Sequence, residues 1–227
     1  MKLMRSTKMH WCAAALGALL LMISNLSAQQ KAHAQNGFYV GLAVPRNTIA
    51  GSFDGESVLT GGGEIIIVPK VASNLGIGVL FGGRTGRSAL ELSYLRSNHT
   101  FTFWEASGKA EYHVLSLDVR YYLTAAEMSQ PFLLVGGVLD WLIVKDGSAS
   151  ETKIGNATFE GGGFNLGGGL AIYFHPRISF SGEAVYRLIG YGGEHSVKGV
   201  MGEWTGINDK DFSGGGVNFT LGLRLTL

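Results

Sequence analysis

From residue 37 to its last residue, the chain alternates apolar side chains with small or polar ones over long segments, and this period of two constrains its fold more than any other feature. Successive side chains of a β-strand point to opposite faces, so each segment is predicted to be a strand with two different faces. The last segment shows the pattern most clearly. One of its faces carries Phe219, Leu221, Leu223, Leu225 and Leu227. The opposite face carries Asn218, Thr220, Gly222 and Arg224.

Segments of this kind recur along the chain and are long enough to cross a bilayer at a tilt. We predict eight of them, at residues 37–45, 64–82, 86–101, 109–124, 130–145, 158–175, 177–192 and 214–227. Long connections are predicted near 46–63, 102–108, 146–157 and 193–213, and short ones near 82–87, 125–130 and 175–176. An even strand number with alternately short and long connections is typical of bacterial membrane barrels. The predicted fold class is all-β, an eight-stranded antiparallel up-and-down transmembrane β-barrel.

The contents of the two faces decide between a membrane barrel and a soluble one. A soluble eight-stranded barrel would need bulky apolar side chains inside. Here the large apolar side chains share one face, while charges lie among glycines and serines on the other. These predicted inward charges are Glu91, Asp118, Arg120, Asp140, Glu183, Arg187 and Arg224. We therefore assign this charge network to the lumen. We assign the apolar face, which includes Phe219 to Leu227 on the terminal strand, to lipid. Arginine–carboxylate pairing across a narrow lumen follows as a hypothesis, with glycines such as Gly136 leaving room.

Composition and charge argue against several other classes. Charged residues make up 15% of the chain and its net charge is +1, without basic clusters, so no nucleic-acid partner is expected. The single cysteine, Cys12, precedes the apolar run near the N-terminus, which excludes disulfides and thiolate sites from the exported chain. The glycine-rich stretch 82–86 lacks the spacing of a phosphate-binding loop. No cofactor or metal ion is expected.

The N-terminus has the three parts of a secretory signal. Lys2, Arg5 and Lys8 precede an apolar run over residues 13–23, and small residues follow. The run is too short for a spanning helix, which needs about 20 apolar residues. We predict a signal peptide over residues 1–34 and an outer-membrane barrel domain over 35–227, with cleavage after Ala28 as an alternative to Ala34. The expected location is the outer membrane of a Gram-negative cell.

Three pieces of the chain carry a resemblance to a known group of proteins. They are the stretch from Gln130-Pro131-Phe132 to Val138, the hairpin from Gly167 to Arg187, and the terminal strand. With these the chain resembles the small outer-membrane β-barrel families, including the transmembrane domain of outer membrane protein A. The resemblance implies insertion by the barrel-assembly machinery through the C-terminal strand. Members usually end in phenylalanine, whereas this chain ends in Leu227, which suggests a different lineage or weaker recognition.

Three functions are compatible with such a barrel. The first is a structural or surface-interaction role with a largely plugged polar lumen, in which the loops 146–157 and 193–213 meet an extracellular partner. The second is a narrow channel or lateral exit path for small hydrophobic solutes, lined by the inward residues Leu80, Leu95 and Val114. The third is a lipid-modifying enzyme.

No catalytic constellation supports the third function. His113 is predicted to point outward near one end of its strand, with Ser88 near the opposite end of the neighbouring strand. His99 and His195 lie in or beside predicted loops, and the adjacency of His195 and Ser196 in sequence does not place them in reacting geometry. We therefore predict that the protein is not an enzyme, and that outer-membrane lipid surrounds the barrel.

Overall fold

The computed structural model of the protein describes residues 36–54, 57–59, 65–67, 70–103, 106–124, 128–149, 152–154, 156–191, 196–198 and 212–227. Eight long strands dominate it. They are β1 (Gly37–Asn47), β2 (Asn74–Thr85), β3 (Ser88–Phe103), β4 (Ala106–Tyr122), β5 (Ser129–Ala149), β6 (Asn156–His175), β7 (Ile178–Tyr191) and β8 (Phe212–Thr226). Each strand pairs antiparallel with the strands that precede and follow it in the chain.

The first and last strands close the sheet into a barrel. β1 pairs with β8 in a register that runs from Tyr39 opposite Thr226 to Arg46 opposite Phe219. The two-residue turns 86–87 and 176–177 lie at one end of the barrel. The start of β1 and the end of β8 lie at the same end. We assign this end to the periplasm, because short turns are periplasmic in such barrels. The predicted eight-stranded up-and-down barrel is confirmed.

Several strand boundaries differ from the prediction. The second segment was expected from residue 64, but β2 begins at Asn74. Residues Ile65–Ile67 instead pair with Ser57–Leu59 in a separate two-stranded sheet. Residues Lys70–Val71 then pair with Thr102 and Phe101 of β3, and the chain turns from there into β2. The connections expected at 102–108 and 146–157 are largely strand, because β3 ends at Phe103, β4 begins at Ala106 and residues 152–154 pair back onto β5.

A belt of exposed apolar side chains surrounds the barrel. The five outward residues of the terminal strand are 46–71% exposed: Phe219, Leu221, Leu223, Leu225 and Leu227. Residues of the same kind are exposed on every other strand, among them Leu42, Val79, Leu92, Leu117, Val135, Leu166 and Phe180. An apolar surface of this extent is stable only against lipid. We call it the apolar belt.

The apolar belt ends where outward side chains become polar. On β3 the last outward apolar residue is Tyr94, and Arg96 follows on the same face. On β4 and β5 the outward Glu111 and Lys145 mark the same boundary. The upper parts of β3, β4 and β5 therefore project beyond the membrane on the extracellular side. In the parts of the chain that are described, no helix has the length and apolar character needed to cross a membrane.

The segment after β1 returns into the barrel. Residues Ala50–Gly51 pair with Gly214 and Gly215 of β8, and a single 3-10 turn follows at Ser52–Asp54. Within this turn Phe53 is 0% exposed and packs edge-on against two other rings, those of Phe159 and Tyr191, with centroids 5.2 Å away in each case. The first extracellular connection thus places an aromatic side chain in the mouth of the barrel.

Candidate functional site

Four charged side chains meet in the periplasmic half of the lumen, and we call them the lumen ion cluster: Glu91, Arg120, Glu183 and Arg224. They come from β3, β4, β7 and β8, where the period of two turns each of them inward. Arg120 donates from Nη2 to Glu91 Oε1 over 2.5 Å and from Nη1 to Glu183 Oε2 over 2.6 Å. Arg224 donates from Nε to Glu91 Oε2 over 2.8 Å.

Further donors complete this cluster. The Tyr39 hydroxyl donates to Glu91 Oε2 over 3.0 Å, and Arg224 also donates to the Ser181 hydroxyl. The Arg120 guanidinium lies over the ring of Phe132, 4.7 Å from its centroid. Two arginines and two carboxylates balance each other, which buried charges require, because an ion transferred from water without a partner costs several kcal/mol. The charges close this level of the lumen.

A second arginine site lies nearer the periplasmic end. Arg84 is 4% exposed and donates from Nη1 to the Tyr173 hydroxyl over 2.7 Å. Its guanidinium carbon lies 3.8 Å from the centroid of the Tyr122 ring, a cation–π contact. The glycine-rich stretch around Arg84 is therefore part of a strand whose arginine fills the lumen. Arg84 was not among the predicted inward charges, although it lies two residues after Gly82 and therefore on the same inward face of the strand.

The remaining three predicted lumen charges do not form ion pairs within the described residues. Asp118 accepts a hydrogen bond from Asn165 Nδ2 at 2.9 Å. Asp140 Oδ2 accepts from the hydroxyls of Tyr112 and Tyr191, each at 2.7 Å. Arg187 donates to Asn47 Oδ1 over 3.2 Å. The structure thus brings four of the seven charges together and gives the other three neutral partners.

The extracellular half of the lumen contains a buried apolar cluster next to the buried polar groups of Asp140 and Arg187. Leu80, Leu95 and Val114, the inward residues that could line a path for hydrophobic solutes, are 5%, 3% and 0% exposed. They belong to one buried cluster with the plugging residue Phe53 and with Phe101. These apolar side chains pack together and are almost completely buried.

A serine–histidine contact lies above the apolar belt, and sequence reasoning missed it. Ser97 Oγ is 2.7 Å from His99 Nε2, and His99 Nδ1 is 2.6 Å from the carbonyl oxygen of Ala72. With the proton on Nδ1 donated to Ala72, Nε2 accepts from the Ser97 hydroxyl. Burial lowers the pKa of His99 below its usual 6.5, and the hydrogen bond to Ala72 offsets part of this effect. This is the geometry of a nucleophile and its base.

The environment of this contact does not suit catalysis. Ser97 and His99 are each 2% exposed, so a substrate has no approach to the hydroxyl. Asn47 Nδ2 also donates to Ser97 Oγ over 2.9 Å, which draws electron density away from the oxygen. The contact therefore acts as a buried polar link between β1, β3 and the residues before β2.

The predicted catalytic candidates on the outer face remain apart. His113 Nδ1 is 2.7 Å from the Tyr94 hydroxyl, and its Nε2 is 3.7 Å from Glu111. Ser88 pairs with Tyr121, far along the strands from His113, which pairs with Arg96. Nearby, Lys145 and Arg96 lie 3.1 and 3.5 Å from the Glu111 carboxylate, and the hydrogen bond from Lys145 lowers the pKa of Glu111.

Several predictions fall wholly or partly outside the described residues. The predicted signal peptide lies there, as do His195 and most of the loop 193–213. Of the loop 146–157, the strand positions 146–149, 152–154 and 156–157 are described. Within the described ranges, no group of three or more histidine, cysteine or carboxylate side chains could hold a metal ion.

Comparison with known families and structures agrees with this architecture. The family model described as "Outer membrane protein beta-barrel domain" matches residues 16–224. The outer membrane protein OprG from Pseudomonas aeruginosa has a similar fold, with a TM-score of 0.61 at 14% identity over 87% of this chain and 98% of that one. No curated protein sequence matches the chain.

Two further solved structures are similar at lower scores. Neisserial surface protein A gives a TM-score of 0.47 at 16% identity, over 84% of this chain and 97% of that one. The attachment invasion locus protein Ail of Yersinia pestis gives a TM-score of 0.43 at 13% identity, over 86% and 99% of the two chains. Identities this low speak only to the fold.

Proposed function

The chain belongs to the outer membrane protein β-barrel domain family, and from this premise we propose that it is a closed, non-conducting barrel that presents extracellular loops for surface interaction. Its location in the outer membrane is the family's location. One observation carries the proposal: successive layers of buried side chains fill the lumen. They run from Arg84 through the lumen ion cluster and the apolar layer to Phe53.

The closed lumen is expected to prevent conduction. Arg120 and Glu91 are 1% and 0% exposed, and Phe53 and Val114 are both 0% exposed, so water-filled passage would require several layers to move together. The test is a planar-bilayer recording with the refolded exported chain. We expect no single-channel steps above those of protein-free membranes. Reproducible steps of defined amplitude would contradict a closed barrel.

The surface-interaction part of the proposal assigns the loops 146–157 and 193–213 to the outside of the cell. An epitope tag inserted between residues 199 and 211 should be labelled by antibody on intact cells. A matched tag in the periplasmic connection 125–127 should be labelled only after the outer membrane is permeabilised. Equal labelling of both sites on intact cells would contradict the orientation on which the role depends.

A catalytic role is not part of this proposal. The Ser97–His99 contact has suitable distances. Both side chains are buried, however, and the Ser97 hydroxyl oxygen accepts a hydrogen bond from Asn47. We also propose that the C-terminal strand is the segment recognised by the barrel-assembly machinery, since its outward apolar residues continue to Leu227. Deleting the last three residues should lower the amount of folded barrel in cells without lowering its synthesis.

One observation favours a second candidate function, the passage of small hydrophobic solutes. In the extracellular half of the lumen, the apolar side chains of Leu80, Leu95 and Val114 belong to one buried cluster with Phe53. In that case a small aromatic hydrocarbon should bind the folded barrel, and Phe53→Ala should bind it more tightly because the space within this cluster is enlarged. Absence of binding by both proteins would contradict this function.

A further inference from the structure

Backbone pairing between β1 and β8 is interrupted on the extracellular side. It stops at Arg46 opposite Phe219 and resumes, in the same register, at Ala50 opposite Gly215. Within the interruption the Thr48 amide donates to the side-chain oxygen of Asn218 over 2.8 Å. Gly216 lies opposite the end of the interruption, and Gly214 and Gly215 pair with Gly51 and Ala50 just beyond it. Gly215 and Gly216 have φ angles of 149° and 137°. Glycine adopts this backbone conformation without steric cost.

The interruption leaves a groove of about 730 Å³ at the surface of the barrel. Outward side chains line it, because Tyr186, Leu188 and Phe219 are 50%, 56% and 57% exposed on the outer face of β7 and β8. The missing side chain at Gly215 supplies part of the space. The groove therefore opens toward the surrounding lipid and not toward the lumen.

The groove lies at the extracellular edge of the apolar belt. On β1 the outward residues are apolar up to Val44, and Arg46 is the next outward residue and lines the groove. Thr48 follows on the same side. An outward arginine directly after an apolar run lies at the level of the lipid headgroups, where the outer leaflet carries its phosphates. The apolar side chains of the groove and the cationic Arg46 thus lie at the same depth in the membrane.

The Arg46 side chain is exposed and lines the groove. Among the described residues, none forms an ion pair or a side-chain hydrogen bond with its guanidinium. By contrast Arg96, an outward arginine two strands away, lies 3.5 Å from Glu111. A guanidinium donates two parallel hydrogen bonds to a phosphate, and the Thr48 hydroxyl can add a third donor. The groove therefore has the donors for an anionic headgroup beside an apolar surface for an acyl chain.

We propose that this groove binds one phosphorylated glycolipid of the outer leaflet. Arg46 and Thr48 hold a phosphate, and an acyl chain lies against Val217 and Phe219. The site is on the outer wall at the β1–β8 seam, so it is independent of the state of the lumen. It would attach one lipid at the place where the backbone ladder of the barrel is incomplete.

The test measures lipid binding to the folded full-length exported chain in zwitterionic detergent micelles. Bisphosphorylated lipid A and its dephosphorylated form are titrated separately, and apparent dissociation constants are taken from the rise of the unfolding midpoint with lipid concentration. Wild-type protein should bind the phosphorylated lipid about tenfold more tightly than the dephosphorylated one. Equal affinity for the two lipids would overturn the proposal without any variant.

Two variants locate the site. Arg46→Gln keeps a polar side chain and removes the charge, and it should weaken binding of the phosphorylated lipid about tenfold while leaving the dephosphorylated lipid unchanged. Val217→Trp fills the groove from the lipid side, where a large ring is tolerated, and should weaken binding of both lipids. The matched controls are Arg96→Gln and Leu139→Trp, which should bind like wild type. Equal losses in the variants and their controls would show a diffuse charge effect and overturn the assignment to this groove.

Discussion

Arg120 on β4 donates to Glu183 on β7 across the lumen, with 2.6 Å between Nη1 and Oε2, and its other terminal nitrogen lies 2.5 Å from Glu91 on β3. One guanidinium therefore compensates two carboxylates on opposite walls of the barrel. Because both carboxylates are buried, losing this arginine should lower the stability of the barrel more than losing a surface ion pair would.

Arg120→Met should destabilise the folded barrel by about 3–5 kcal/mol, since it leaves Glu91 and Glu183 buried with one arginine between them. The measurement is urea unfolding in phospholipid vesicles. Arg177→Met, at the exposed turn between β6 and β7, is the control and should change stability by no more than about 0.5 kcal/mol. Similar values for the two variants would mean that Arg120 is solvated in the lumen.

Leu223→Arg should cost about 2–4 kcal/mol, because Leu223 is 50% exposed on the lipid face, near the middle of the outward apolar run from Val217 to Leu227. Leu227→Arg, at the periplasmic edge of the same face, should cost only about 0–1 kcal/mol. Both free energies come from unfolding in vesicles of one lipid composition. If the two substitutions cost the same, the apolar belt would not be centred on Leu223.

Gly136→Ala should destabilise the barrel by about 1–3 kcal/mol through overpacking. A methyl group at this inward position would collide with the side chain of Asp118 and with the Leu117 carbonyl. At the neighbouring Gly137 a methyl group would meet nothing within 4 Å, so Gly137→Ala is the matched control and should be close to neutral. A neutral Gly136→Ala would show that β4 and β5 can separate to admit a side chain.

His99 should make stability sensitive to acid. Its folded-state pKa is lowered from 6.5, so the unfolded chain takes up the proton first as the pH falls. The contribution is fully present above pH 6.5 and is lost as the pH falls from 6.5 through the folded-state pKa. Unfolding free energies measured between about pH 5 and pH 8 should fall less steeply in His99→Gln than in wild type.

The control for this dependence is His113→Gln, on the outer face. It removes an imidazole that lies outside the lumen beside Tyr94 and Glu111, and so serves as the matched substitution on the outer face. A His99→Gln profile parallel to that of wild type would show that the imidazole takes up its proton equally readily in the folded and unfolded chains, which would contradict the prediction.

The periodic part of the architecture was predictable from the sequence. Along β8, each alternate side chain from Phe219 to Leu227 is exposed and each intervening one from Asn218 to Arg224 is buried. The alternation of side chains along a strand is enough to predict such faces, because a strand has only two. Parity also places Tyr112 on the inward face of β4, from which its contact with Asp140 on β5 could have been suspected.

Contacts that depend on irregular backbone were not predictable. Phe53 lies between a serine and an aspartate with no alternating pattern, so nothing in its neighbourhood indicates that the first connection turns into the mouth of the barrel. The Ser97–His99 link likewise depends on the Ala72 carbonyl, whose position is set by the short return before β2. The early start predicted for the second strand arose because Ile65, Ile66 and Ile67 are apolar on both faces.

The position of Arg224 has a consequence for assembly. It lies on the final strand, 133 residues after its partner Glu91, and β8 is also the strand that completes the circle with β1. Until β8 pairs with its neighbours, Glu91 lacks the two hydrogen bonds that Arg224 donates. The inner surface of the incomplete sheet therefore carries a charge that must stay hydrated. Closure of the sheet and dehydration of the interior are therefore coupled, because the strand that completes the circle also carries the arginine that neutralises Glu91.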